Sequence, residues 1–175
     1  MEKRYEEFIG DNGYSRKFLK EWVSRGERTS TDEEYSYLTT FFCYFVAFNY
    51  LFNTFSYTVY NDKNCGEEKQ IKRFIEFCSS NENKIEYGLE GFDPLPLLNP
   101  DAELFTVVHD GRLCKSVHKR NNTEDEEKPI VRLFRNIYRV RCNLFHGSKS
   151  MFRLRDSNLV KESNIVLKNL LDCFM

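Results

Sequence analysis

The sequence lacks an overall excess of positive charge, because its 26 lysines and arginines are matched by 27 acidic residues and its formal net charge is -1 at pH 7. Attraction of nucleic acid by total charge is therefore excluded, and any binding of RNA would need a local basic patch. The sequence also contains no glycine-rich phosphate loop, no Gly-x-Ser-x-Gly elbow and no His-Glu-x-x-His pair. Nucleotide hydrolysis at a P-loop, serine hydrolysis and zinc proteolysis are consequently without support.

The chain also has neither closely spaced cysteines nor an apolar leader. Its 6 cysteines are scattered along 175 residues. A core of this size does not need disulfides, so we expect free thiols. Residues 1–7 are mostly charged, whereas a secretory signal needs an apolar stretch. We therefore expect one cytoplasmic domain that spans residues 1–175.

A long uncharged segment is the most apolar part of the sequence. No Asp, Glu, Lys or Arg occurs over residues 36–61, a run rich in phenylalanine and tyrosine. Its length is compatible with a membrane span, but threonine, asparagine and serine interrupt it. We interpret residues 34–60 as the central, buried helix of a helical protein without a membrane segment. Part of that burial could come from a second copy of the chain.

The remaining segments predict the rest of an all-α fold. Apolar residues at helical spacing predict helices over residues 14–23, 71–80 and 159–174, and a further helix from Pro129 to near Gly147. Glycine and proline interrupt residues 88–123, where Asp-Gly at residues 110–111 could close a small hairpin. The predicted architecture is a four- to five-helix bundle with this irregular insertion.

The helix that begins at Pro129 carries an arginine among apolar residues. Helical spacing places Arg141 within a stripe that should face the core. The apolar members of that stripe are Ile130, Phe134, Ile137, Tyr138, Leu144 and Phe145. A buried arginine without a partner is strongly destabilising, so Arg141 needs a carboxylate, a phosphate or a water-filled cleft. The plainer interpretation is a structural ion pair, with Glu33 or Glu34 as the candidate partner.

A second stripe of the same helix is basic and contains Arg135, Arg139, Cys142 and His146. Eight lysines and arginines and no acidic residue occupy residues 128–155, so a local basic patch exists despite the neutral total. Such a patch can bind a phosphate backbone, although a solvated charged face has the same pattern. Histidine suits general acid–base chemistry near neutral pH, which makes His146 the candidate catalytic group.

Residues 138–149, Tyr-Arg-Val-Arg-Cys-Asn-Leu-Phe-His-Gly-Ser-Lys, resemble the Arg-x4-6-His signature of HEPN domains, in which a helix ends in Arg-polar-Asn-Leu-Phe-His-Gly. Residues 45–52, with Ala-Phe-Asn before aromatic residues, are similar to the first long helix of the same families. Two departures stand out. Cys142 follows the arginine where the family often has a polar residue. Ser148 stands where a tyrosine marks the subgroup that nucleotidylation silences.

This resemblance implies a homodimer in which two such motifs face each other across a cleft and cleave RNA without a metal or other cofactor. Arg141 would hold the scissile phosphate, His146 would transfer a proton as the 2′-hydroxyl attacks, and Asn143 would orient them. The basic residues expected along the RNA backbone are Arg135, Arg139 and Lys149. Many such proteins serve in toxin–antitoxin and phage-defence systems, so an antitoxin or other regulatory protein is a further expected partner.

Three other interpretations remain open at the level of sequence. Two Cys-x3-His pairs, Cys114 with His118 and Cys142 with His146, could ligate zinc, although such spacings arise by chance and we expect no metal. The chain could be a non-catalytic HEPN-like module that binds nucleic acid, a nucleotide or a protein. It could also be a structural helical protein whose aromatic helix mediates assembly.

Overall fold

The computed structural model describes residues 13–29, 36–62, 65–80, 107–109, 112–114, 129–146 and 154–175. Within these residues the chain forms five helices and one short hairpin, and the architecture is an all-α bundle. The helices are α1 (Gly13–Thr29), α2 (Ser36–Tyr60), α3 (Glu67–Ser80), α4 (Pro129–Phe145) and α5 (Leu154–Asp172). The strands are β1 (Val107–His109) and β2 (Arg112–Cys114).

Helix α2 is the centre of the bundle, because it packs against α1, α3 and α5. Eleven of its residues are buried, and they cover more than half of the helix circumference rather than one narrow stripe. Phe48 is fully buried, and its ring lies 6.2 Å from that of Phe74 on α3 and 5.4 Å from that of Phe134 on α4. The prediction of a buried central helix is therefore confirmed, and the chain itself supplies most of the burial. No helix in the described part of the chain combines the length and apolar content that a membrane crossing requires.

Helix α1 approaches α2 closely at Gly26. A Cβ atom at this position would lie 2.6 Å from Cε1 of Tyr44, so no other residue fits without displacing that ring. The hydroxyl of Thr40 lies 3.0 Å from the carbonyl oxygen of Gly26 and can donate a hydrogen bond to it. A further contact, 2.8 Å between the hydroxyls of Ser15 and Tyr50, joins the two helices nearer the start of α1. These contacts explain why α1 continues well beyond the predicted segment 14–23.

The hairpin falls inside the segment that glycine and proline predicted to be irregular. Its antiparallel register pairs Val107 with Cys114 and His109 with Arg112, as expected for strands joined at residues 110–111. Strand β1 contacts α4. The other predictions for residues 88–123, and the predicted loop over residues 115–128, lie outside the described residues.

Helices α3 and α4 run antiparallel, which positions the candidate site. Arg141 of α4 pairs with Glu67 at the start of α3, and Arg139 pairs with Glu68. Phe134 and Phe74, further from that end, both contact Phe48. The last turn of α4 therefore extends past the first residue of α3.

This offset corrects the predicted inner face of α4. The residues that are fully buried there are Val131, Leu133, Phe134, Ile137 and Val140. Ile130, Tyr138 and Leu144 are only partly buried, and Phe145, which we predicted to face the core, is 63% exposed. The reason is its place in the last turn, beyond the start of α3.

Candidate functional site at the end of α4

The guanidinium of Arg141 is held by one carboxylate and three aromatic rings. Nη1 lies 3.6 Å from Oε2 of Glu67, and the side chain is 27% exposed. The central carbon of the guanidinium lies 4.7 Å from the ring centre of Phe145, 5.6 Å from that of Phe45 and 6.0 Å from that of Tyr138. Aromatic faces and a carboxylate stabilise the charge while part of the group stays open to solvent. Arg141 is thus positioned for an anion without being fully neutralised.

The partner of Arg141 differs from the two carboxylates that the sequence suggested. Glu33 and Glu34 lie outside the described residues, and the observed pair is with Glu67 in the first turn of α3. Acidic side chains stabilise a helix N-terminus and basic ones a C-terminus, because they complement the helix dipole. The antiparallel packing of α3 and α4 brings those two ends together. A Glu-Glu pair directly after Gly66 was the sequence signal for this end of α3.

Arg139 occupies a different environment, although only Val140 separates it from Arg141 along the chain. Its side chain is 4% exposed, and its Nε lies 3.9 Å from Oε1 of Glu68. The sequence placed Arg139 on a basic stripe that could bind a phosphate backbone, whereas the structure buries its side chain. Asn136, Arg139 and Asn143 share one buried polar stripe, at i, i+3 and i+7. In this structure the charge of Arg139 is enclosed in the α3–α4 contact and is not offered to solvent.

Tyr138 and Cys142 lie beside the ion pair of Arg141 and Glu67. Burial raises the pKa of the Tyr138 hydroxyl, and the neighbouring side chains of Cys142 and Glu67 raise that pKa further. The hydroxyl therefore remains protonated at neutral pH and can donate to these neighbours. Sγ of Cys142 also lies 3.9 Å from Nη1 of Arg141. Cys142 thus contacts the guanidinium from the position where the resembling motif often has a polar side chain.

His146 is exposed to solvent at the end of the same helix. Its backbone N–H donates to the carbonyl oxygen of Cys142 at 2.9 Å, so the chain is still helical at this residue. Five helical residues separate the Cα atoms of Arg141 and His146 by roughly 140° around the axis and about 7.5 Å along it. The two side chains therefore leave α4 in different directions, and one chain does not present them on a single face.

The remaining predicted site residues are Arg135, Asn143 and Lys149. Arg135 is half-buried, and Asn143 is fully buried. Asn143 can therefore influence a bound anion only through its neighbours. Lys149 lies outside the described residues, as does Gly147, near which the sequence predicts the end of the helix.

Metal binding at the predicted Cys-x3-His pairs receives no geometric support from the described residues. Among them, no group of three or more histidine, cysteine, aspartate or glutamate side chains could hold a metal ion. His118 and the side chain of Cys114 lie outside this description. The five cysteines whose side chains are described are free thiols. Burial raises the pKa of one of them, Cys78, far above its usual range.

Comparisons of the chain with models of known protein families, with curated proteins and with solved structures find no match.

Proposed function

We propose that this chain is a metal-independent endoribonuclease of the HEPN type, with Arg141 and His146 as its catalytic residues. The observation that carries the proposal is the environment of Arg141, a half-open guanidinium at a helix end, one turn before an exposed histidine. Arg139, on the same helix, is closed to solvent by contrast. The resemblance of residues 138–149 to the HEPN signature supports the same assignment.

In the proposed reaction, Arg141 binds the scissile phosphate and stabilises the negative charge that develops on it. The 2′-oxygen attacks phosphorus, the bond to the 5′-oxygen breaks, and one proton moves from the 2′-hydroxyl to the leaving oxygen. His146 transfers that proton. Arg135 and Lys149 are the basic residues that we assign to neighbouring phosphates, while the burial of Arg139 removes it from this role.

The divergence of Arg141 and His146 on α4 favours a site composed from two chains. A homodimer with the ends of α4 facing each other would place Arg141 of one chain near the partner's His146. The same system would include a regulatory protein, such as an antitoxin, if the chain is a toxin or phage-defence component.

The decisive experiment is incubation of the purified protein with total RNA in EDTA, together with the His146→Ala variant. We expect the parent to cut RNA without a metal, and the variant to lose at least roughly 10²-fold in turnover while RNA affinity changes little. Arg25→Ala is a matched control, because Arg25 is an exposed arginine on α1 that pairs only locally with Glu21. Cleavage that His146→Ala leaves intact would contradict the proposal.

Mixing two inactive variants tests the composite site. If each site combines Arg141 of one chain with His146 of the other, random heterodimers of Arg141→Ala and His146→Ala contain one intact site. The mixture should then recover roughly a quarter of the parent activity. A mixture as inactive as its components, at concentrations where sedimentation shows exchange of subunits, would contradict this pairing. Each site would then use both residues of one chain or all four side chains of the dimer.

A second candidate function is a HEPN-like module that binds nucleic acid, a nucleotide or a protein without cleaving RNA. The contact of Cys142 with the guanidinium of Arg141 favours it, because the usual polar residue is missing there. RNA that is bound but never cut by the parent would select this alternative. Restoration of cleavage by Cys142→Asn would then identify Cys142 as the cause.

A further inference from the structure

Phe145 is an aromatic residue at the end of α4 whose ring is largely exposed to solvent and contributes little to the hydrophobic core. Its side chain is 63% exposed, the highest value among the large hydrophobic residues of the described part of the chain that face solvent. Both faces of the ring cannot be covered at this exposure, so at least one is largely open. The residue directly precedes His146 and follows Arg141 by one helical turn.

The ring of Phe145 is nevertheless held in place. The guanidinium of Arg141 lies over it at 4.7 Å, and the ring of Phe42 on α2 contacts it edge-on with centroids 5.3 Å apart. A braced ring loses little conformational freedom when a ligand stacks on it. Guanidinium and ring together form one platform with a charged part and a planar apolar part.

We infer that Phe145 stacks against an unpaired base of the nucleotide whose phosphate Arg141 binds, so that the substrate class is single-stranded RNA. This inference rests on the proposed function for its ligand. An aromatic face beside a cation matches a nucleotide, which offers a planar base and an anionic phosphate a short distance apart. A paired base is already stacked on both sides, and its extrusion from a duplex is costly. Double-stranded RNA should therefore bind poorly.

In the proposed homodimer the ends of α4 face each other across a cleft, so the alternative ligand for the Phe145 ring itself is the partner chain. The described residues favour an RNA base there. The other exposed large hydrophobic residues are Tyr57, Tyr60 and Ile165. Tyr57 and Tyr60 lie at the far end of α2 from Phe42, roughly 20 Å or more along the helix. One exposed ring beside a guanidinium is too little apolar surface to hold a stable dimer together, so the dimer contact needs other residues. The positive charge beside the ring suits an anion.

The test uses a 2′-O-methyl RNA oligonucleotide, which cannot be cut through its 2′-oxygen, as a single strand and as a duplex. We expect Phe145→Leu to weaken binding of the single strand by on the order of 5- to 100-fold, because leucine keeps apolar bulk but cannot stack. Phe145→Trp should retain the affinity. Tyr57→Leu, which removes an exposed ring far from the site, is the matched control and should bind as the parent does.

Fluorescence of the Phe145→Trp variant gives a direct readout of stacking, with Trp22 of the parent as the background. The single strand should quench the new emission, and the duplex should not. Equal binding of the single strand by Phe145→Leu and the parent would overturn the inference, even if RNA cleavage is observed. Emission that changes with protein concentration alone, with a shift of Phe145→Leu to monomer, would assign the surface to a second copy. Because the probe is not cut, stacking is measured independently of whether the proposed nuclease activity exists.

Discussion

Two arginines in the second half of α4, Arg139 and Arg141, differ in how far their side chains are exposed to solvent. Arg139 is 4% exposed and lies in the contact between α3 and α4, whereas Arg141 is 27% exposed and lies at its edge. Each pairs with one of two consecutive glutamates, Glu68 and Glu67. The two pairs therefore differ in their access to solvent rather than in their chemistry.

This difference teaches which arginine can act on a ligand. A buried charge is tied to its partners, because leaving them would expose it to an apolar environment without compensation. A half-open charge can exchange its carboxylate for a phosphate at little cost, because solvent already screens the pair. Arg139 and Arg141 therefore differ in accessibility to solvent, and not in whether they form an ion pair.

The largest expected effect is on turnover, and it should distinguish the two arginines sharply. Arg141→Ala should reduce cleavage of saturating RNA by at least roughly 10²-fold, because the charge on the reacting phosphate loses its stabilisation. Arg139→Met, which keeps the volume of a long side chain in the core, should cut RNA at close to the parent rate. Steady-state cleavage rates at saturating RNA measure both variants. Equal losses in the two variants would remove the distinction on which the site assignment depends.

The second effect is on stability, and here we expect the substitution of Arg139, not that of Arg141, to cause the larger loss. Arg139→Ala removes a long side chain from a closed contact, and we expect the free energy of unfolding to fall by roughly 2–5 kcal/mol, as for other large-to-small core changes. Arg141→Ala should cost about 1 kcal/mol, since its ion pair and ring contacts are partly exposed. Urea denaturation followed by circular dichroism gives both values. A larger loss for Arg141→Ala would make Arg141 the structural residue.

The smallest expected effect is a change in RNA affinity on substitution of Glu67, the partner of Arg141. Glu67→Gln removes the carboxylate that competes with a phosphate for Arg141, so RNA affinity should rise roughly 2- to 5-fold, the range expected for a partly exposed pair. Glu76→Gln is a control, because Glu76 is an exposed residue of α3 that pairs with Lys72 by 3.7 Å. Filter binding at two salt concentrations measures the change. A Glu67→Gln variant that binds RNA more weakly would show that Glu67 positions Arg141 rather than competing for it.

The sequence predicted the helices well because their signals are local. The bounds of α4 follow from Pro129, which suits a first helical turn, and from the apolar spacing up to Phe145. The burial of α2 follows from its lack of charge over a whole helix length. The hairpin follows from the Asp-Gly pair at residues 110–111, which lies between its two strands.

The orientation of residues on α4 could not be predicted with the same success. A helical wheel finds one apolar stripe, but it cannot tell that polar positions on another side are also covered. Asn136, Arg139 and Asn143 are buried for this reason. The wheel also assigns Phe145 to the core, because it contains no information on where the neighbouring helix begins.

The sequence by itself determined that this chain is a helical bundle around an aromatic central helix, and that one helix ends in an arginine, a cysteine and a histidine close together. These features depend on residue type and spacing within single segments. Only the tertiary structure decided that Glu67 is the partner of Arg141, that Arg139 is closed to solvent and that Phe145 is open. The physical reason is that burial and pairing depend on where separate helices start, end and cross, and no local pattern contains that information.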